Sequence, residues 1–359
     1  EAAPGPAAND ARHLLIDTLF RACLEGGTDE ERQTLHKEVE KALKDDPNHP
    51  MASHSLYCEA RLYEMEGVSY AAHDIYTRIV THYPDAPDQE SILVDAAQMA
   101  LNMREVQMAA ENAQKLLRDF PNTPYRGRVR LILGDAYAMA GMDDDARTIY
   151  LRASEEADAD IRADAMLRLG RLALDRGRYD DAIRDLEQRL STSLSTRDND
   201  QAYLSLARAY NNVKRSDDAQ TTLTDLIQFF PNSPLIPDAL VELSQVLDRL
   251  GKREEAIALA QRAVGQYPDN ISALKNKAEF LGISGSSYGA ASALMQADSL
   301  GANDPSVLLK AARYFKAAGI NDEAAKAYRR LRQKFTWSDE ALTGGVEEAR
   351  LAYDDGKVQ

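Results

Sequence analysis

Small residues recur along this chain at a nearly fixed interval. Alanine stands at Ala72, Ala109, Ala146, Ala182, Ala219, Ala256, Ala290 and Ala324, with steps of 34 to 37 residues. Twelve residues before each lies a second small residue: Ala60, Ala97, Gly134, Gly170, Ala207, Ser244, Ala278 and Ala312. Two ladders held in phase over eight units identify a solenoid of helical repeats. Such a chain needs no single central core, so 359 residues do not imply two or three separate domains. Two helices approach closely only where side chains are small, and a large residue opposite fills the gap that remains.

Each unit reads as a helix A, a short turn and a helix B. Glycine marks the turn seven residues after the first small residue at Gly67, Gly141, Gly177, Gly251, Gly285 and Gly319, where it can take the positive φ of a helix C-cap. Acidic residues then open helix B, as at Asp143, Glu254 and Asp322, where they favour the positive end of the helix dipole. Prolines Pro84, Pro121, Pro231 and Pro268 separate units. Residues 1–10 read as a flexible Ala/Pro-rich leader, 11–46 as a degenerate N-terminal repeat or cap, 47–337 as the repeat array, and 338–359 as a capping helix and tail. Within the N-terminal pair, Thr28 and Glu31 form a capping-box pattern. The chain opens on Glu1 rather than Met; a removed signal peptide is one explanation and trimming is another.

The spacing resembles the tetratricopeptide repeat over about residues 47–337. The two small residues fall at that family's small positions in helices A and B. Large residues follow at Tyr63, Tyr137, Tyr210, Leu247, Leu281 and Phe315, and at Tyr76, Tyr150, Leu186, Leu223, Leu294 and Tyr328. The departures are the longer spacing, several missing linker prolines and the absent early tryptophan. The resemblance implies an all-α, right-handed superhelical solenoid of antiparallel helix pairs, about eight repeats with terminal capping helices. Its concave groove would be lined by helix A.

Chemistry is hard to place on this sequence. It has no Gly-x-Ser-x-Gly elbow, phosphate loop or dinucleotide fingerprint. Gly282-Ile-Ser-Gly-Ser-Ser reads as a helix–helix turn. All six histidines lie at or before His82, without a His-x3-His pair or HExxH, and Cys23 and Cys58 lack ligand spacing, so they read as buried thiols. No catalytic residue, metal or cofactor is expected. A net charge of −15 without a basic run argues against nucleic acid as partner. No stretch approaches the ~20 apolar residues that span a bilayer, which leaves peripheral association through a partner or a lost anchor.

Function is therefore expected in the groove. The residue after the first small position is Arg61, Gln98, Asp135, Arg171, Arg208, Gln245, Glu279 and Arg313, with Asn211, Asn212, Asp248 and Asn276 on the same face. Such a row suits peptide backbone and carboxylates; equally, its arginines can pair with neighbouring acids on a solvated face. The family's clamp for chaperone C-termini is not reproduced, since Tyr57, Val94, Leu131 and Leu204 hold its positions. The expectation is a non-enzymatic scaffold or adaptor binding a protein segment; the alternative is a constitutive subunit of a large complex using the convex face and solenoid ends. An enzyme or carbohydrate-binding module has only groove carboxylates and scattered aromatics behind it. The junctions Tyr83-Pro-Asp-Ala-Pro, Phe120-Pro-Asn-Thr-Pro and Phe230-Pro-Asn-Ser-Pro resemble those of periplasmic repeat proteins, which favours a bacterial cell envelope over the cytoplasm. If the small positions are helix crossings, Ala146→Leu or Ala256→Leu costs about 1–3 kcal/mol in urea unfolding.

Overall fold

The computed structural model describes residues 6–191 and 198–354. The regular elements among the described residues are all helices, without strands. Contacts divide the chain into two compact units, Glu1–Leu172 and Ala173–Gln359.

The first unit holds α1 (Pro6–Leu24), α2 (Asp29–Asp45), α3 (Ala52–Met65), α4 (Ser69–His82), α5 (Gln89–Asn102), α6 (Val106–Asp119), α7 (Arg126–Met139), α8 (Asp143–Ser154) and most of α9 (Ala159–Asp175). From α1 to α8, each helix packs on the next, and α1 and α5 also reach the next helix but one. The second unit holds α10 (Tyr179–Ser191), α11 (Asn199–Asn212), α12 (Ser216–Phe229), α13 (Ile236–Arg249), α14 (Arg253–Gln266), α15 (Ile271–Ile283), α16 (Ser287–Ser299), α17 (Pro305–Ala317), α18 (Asn321–Lys334) and α19 (Asp339–Asp354). It repeats the pattern, with α13 on α15 and α17 on α19.

Both small-residue ladders are buried throughout. At Gly134 the reason is direct: a Cβ there would overlap the ring of Tyr150, which crosses from α8. The large partners Tyr76, Tyr150, Leu186, Leu223, Leu294 and Tyr328 are buried as well. Within each unit the core is thus divided into separate apolar clusters.

The N-terminal helix begins earlier than the sequence suggested. Residues 6–10 belong to α1, so the expected flexible leader is corrected there. Proline is suited to the first helical position because its φ is already helical, and Ala7 and Ala8 follow it. The rest of the leader, residues 1–5, and residues 355–359 of the expected tail lie outside the described residues. Thr28 and Glu31 form the reciprocal capping box that opens α2.

All six expected turn glycines have positive φ, from 71° at Gly177 to 84° at Gly285. Two units lack the glycine and still make the turn. Arg104 and Lys214 occupy its place at φ 62° and 64°. The hydrogen bonds explain why they tolerate it. The N–H of Glu105 donates to Ala100 O (2.8 Å) and that of Arg104 to Leu101 O (3.0 Å), the paired bonds of a Schellman end. Arg215 to Tyr210 and Lys214 to Asn211 repeat them. A left-handed conformation costs a residue with a Cβ about 1–2 kcal/mol, and glycine returns part of that as unfolded-chain entropy. Lys214→Gly is therefore expected to stabilise the protein by about 0.5–1 kcal/mol, read as a higher urea midpoint with unchanged slope.

Candidate protein-binding site

Helix A of each repeat carries the polar residues singled out above, and four of them, Arg61, Asp135, Arg208 and Arg313, form ion pairs with the next repeat or the C-terminal helix. In the first unit Arg61 lies 2.6 Å from Glu64 and 3.6 Å from Asp95. Asp95 also faces Arg128 at 3.6 Å and accepts from the Tyr57 hydroxyl at 2.8 Å. Asp135 accepts from Arg168 at 2.9 Å and from the Tyr150 hydroxyl at 2.7 Å. Burial, then Asp95 and Asp135 respectively, pushes both phenols up. Gln98 donates to Asn102 (3.1 Å) at the end of its own helix, and Arg171 is exposed on α9.

The second unit, taken by itself, holds equivalent pairs. Arg208 donates to Glu242 at 2.6 Å, and Arg313 to Glu347 at 2.7 Å, with the Tyr328 hydroxyl on the same carboxylate at 2.8 Å. Asp95, Arg168, Glu242 and Glu347 were not singled out from sequence. Their signal was present, since opposite charges sit 33 or 34 positions from Arg61, Asp135, Arg208 and Arg313. Asp248 binds Arg253 across the turn at 2.8 Å, Asn212 donates to the Arg208 carbonyl at 2.9 Å, and Asn211 is half-buried with its Oδ1 unpartnered.

Four members of the row converge elsewhere. Gln245, Asn276, Glu279 and Arg313 line one open cleft of about 740 Å³ on α13, α15 and α17. Its apolar part comes from Val241, Ile283, Leu294 and Tyr314. Tyr314 reaches that place because Gly282 has no Cβ; a methyl group there would overlap the phenol. The Gly282-Ile-Ser-Gly-Ser-Ser segment is accordingly the end of α15 and its turn, as expected, and it also seats a cleft residue. Three cations line the cleft, Lys275, Lys310 and Arg313, against the single acid Glu279. Lys275 pairs with Asp304 at 2.8 Å, while Lys310 is exposed and makes no ion pair among the described residues. Asn276 is 3% exposed. Its Nδ2 donates to Ser244 Oγ at 2.6 Å, and its Oδ1 has no partner. A buried amide oxygen left so carries a desolvation cost.

The histidines and cysteines gather at the other end of the chain. His13 stacks on His49 at 4.2 Å and meets Ser55 at 2.7 Å; burial, then His49, pushes it down to about 4. His36 is raised by its hydrogen bond to Glu59. Cys23 and Cys58 are both buried and free, as read from sequence. Asp17, His54 and Cys58 bring a carboxylate oxygen, an imidazole nitrogen and a sulfur within 4.8 Å of one another. Burial, then Asp17 and Asp88, pushes the Cys58 thiol up to about 12.

Family models match four stretches of the chain: a tetratricopeptide repeat-like domain over residues 68–201, and tetratricopeptide repeats over 173–236, 237–280 and 306–336. Among solved structures, the chain is similar to a tetratricopeptide repeat protein from Parabacteroides merdae ATCC 43184. That match has a TM-score of 0.54 at 15% identity and covers 74% of this chain and 98% of that one. It is also similar to PilW, described as a widely conserved type IV pilus biogenesis factor, with a TM-score of 0.50 at 17% identity over 62% of this chain and 99% of PilW. At these identities the likeness concerns the fold. No curated protein matches the chain.

The ladder itself can be tested at Glu242. Burial pushes its pKa above the ordinary range and Arg208 opposes that shift. With the folded pKa raised, the acid stabilises the fold in its protonated form, and that contribution is lost as pH rises through the folded pKa. Arg208→Gln removes the opposing charge and leaves a buried acceptor short of a donor. It is expected to cost about 1–3 kcal/mol at pH 7 and much less at pH 4, measured by urea unfolding at both.

Proposed function

Because this chain belongs to the tetratricopeptide repeat superfamily, whose members serve as protein-interaction scaffolds, we propose that it is a non-enzymatic adaptor holding an extended segment of another protein against helix A of its repeats. The cleft on α13, α15 and α17 is the place proposed. The exposed Lys310, which makes no ion pair among the described residues, carries the reading, and Gln245 in the same cleft can both donate to and accept from a peptide backbone. Lys310 favours a carboxylate on the segment, and the floor of Val241, Leu294 and Tyr314 favours an apolar side chain next to it. Arg61, Asp135 and Arg208 are engaged in the inter-repeat ladder, so they act in this proposal as supports.

A second reading rests on α19. Leu342, Val346 and Tyr353 are exposed and share one stripe of that helix, with Trp337 exposed just before it. A subunit docking through the end of the stack would cover them. The bacterial cell envelope is the proposed location, supported by the Pro-Asp-Ala-Pro and Pro-Asn-Ser-Pro junctions; a cytoplasmic precursor without a signal sequence would overturn it. No described helix is long and apolar enough to cross a membrane.

One experiment separates the two readings. A photo-crosslinker placed at Gln245 in native cells is expected to capture a defined segment of a partner. A synthetic peptide of that segment should bind the purified chain and lose at least about tenfold in affinity, roughly 1.4 kcal/mol, on Lys310→Glu. Crosslinks that form only from Tyr353 would move the contact to α19, and a peptide indifferent to Lys310→Glu would remove the cleft from the account.

A further inference from the structure

The first unit contains a constellation that peptide binding does not use. His54 and Cys58 are four residues apart on α3, so both side chains leave the same face of the helix. Asp17 on α1 reaches that face. His54 Nε2 lies 3.3 Å from Asp17 Oδ1 and 3.6 Å from Cys58 Sγ. On the other side of the ring, His54 Nδ1 lies 3.0 Å from Asp88 Oδ2, just ahead of α5.

We propose that Asp17, His54 and Cys58 are the three protein ligands of a site for a divalent cation of the zinc class, with Asp88 holding the imidazole from behind. The two separations from His54 Nε2 fit tetrahedral coordination, and the Asp17 oxygen and Cys58 sulfur lie within 4.8 Å of each other. With metal–sulfur, metal–nitrogen and metal–oxygen bonds of about 2.3, 2.0 and 2.1 Å, nitrogen and sulfur ligands stand about 3.6 Å apart and nitrogen and oxygen about 3.4 Å. These are close to the separations that His54 already keeps from its two neighbours. The donor set of thiolate, imidazole and carboxylate suits a borderline-soft ion over magnesium or calcium.

The surroundings support the same assignment. A ligating histidine usually donates its second ring N–H to a carboxylate, which fixes the tautomer and the ring plane; Asp88 is placed to accept it. Asp17 directs Oδ1 to the site while Oδ2 meets Arg21 at 2.9 Å. The His54 and Asp17 side chains are 32% and 22% exposed, whereas Cys58 is buried. Solvent thus reaches one side of the site, where water would complete four-coordination. On binding, the Cys58 thiol proton and any proton on His54 Nε2 pass to solvent. The ion would join α1 to α3 and, through Asp88, to the start of α5. In its absence His54 serves as a bridge between two carboxylates, a purely structural role with no need of the sulfur.

Cobalt(II) titrated into the purified chain distinguishes these roles. The expected result is saturation at one equivalent, with a thiolate-to-cobalt charge-transfer band that zinc abolishes by displacement. Cys58→Ser and His54→Ala should lose the band while Cys23→Ser keeps it, and Asp88→Asn should weaken binding about 10–100-fold. Zinc should raise the melting temperature of the wild type and of Cys23→Ser, with no shift in His54→Ala. His54 is partly exposed, so that variant carries the test should Cys58→Ser fail to fold by circular dichroism. A wild type with no charge-transfer band, or a band that survives in His54→Ala, overturns the site.

Discussion

The closeness of helix crossings governs this molecule. Where α7 meets α8, Gly134 leaves room for the Tyr150 ring, and the hydroxyl of that ring then reaches Asp135. Where α15 meets α17, Gly282 does the same for Tyr314. A single missing Cβ therefore sets a backbone distance, places an aromatic ring and aims its polar end. The packing follows from the first of these effects and the candidate site from the other two.

The polar ladder depends on that spacing. Arg208 can reach Glu242, and Arg313 can reach Glu347, because successive repeats hold equivalent helices at a constant offset. Ion pairs of this kind contribute little when fully exposed. Here Asp95 is buried and Asp135, Glu242 and Glu347 are half-buried, and Asp95, Asp135 and Glu347 also accept from a tyrosine, so removing the cation leaves a carboxylate short of a donor in a partly desolvated place. Arg61, Arg208 and Arg313 are then better understood as registering their own repeats against the helices that follow.

Much of this was legible in the residues. The two small-residue ladders located the helix pair of each of the eight repeats, the glycines located six turns, and Thr28 with Glu31 located the start of α2. Arg104 and Lys214 make the same turn without glycine, since the Schellman hydrogen bonds hold the backbone whatever the side chain. The candidate site was harder to read. Position along helix A identified residues on one face, but could not separate Arg208, engaged by Glu242, from Lys310, which was overlooked. That difference depends on which side chain one repeat away extends far enough. Cys58 was read as lacking ligand spacing although His54 stands four residues before it, because Asp17 on α1 and Asp88 just ahead of α5 are brought to that face only by the fold.

The substantial helix contacts within each unit join a helix to its neighbour or next neighbour but one. No contact between distant parts of either unit has to be found before its interior can form. Chains built mainly of nearby contacts fold quickly, because little loop-closure entropy is lost first. A pair such as α7 and α8 can assemble as soon as both have left the ribosome and then act as a template for the helix that follows. Synthesis and folding can therefore proceed in the same direction and at the same pace.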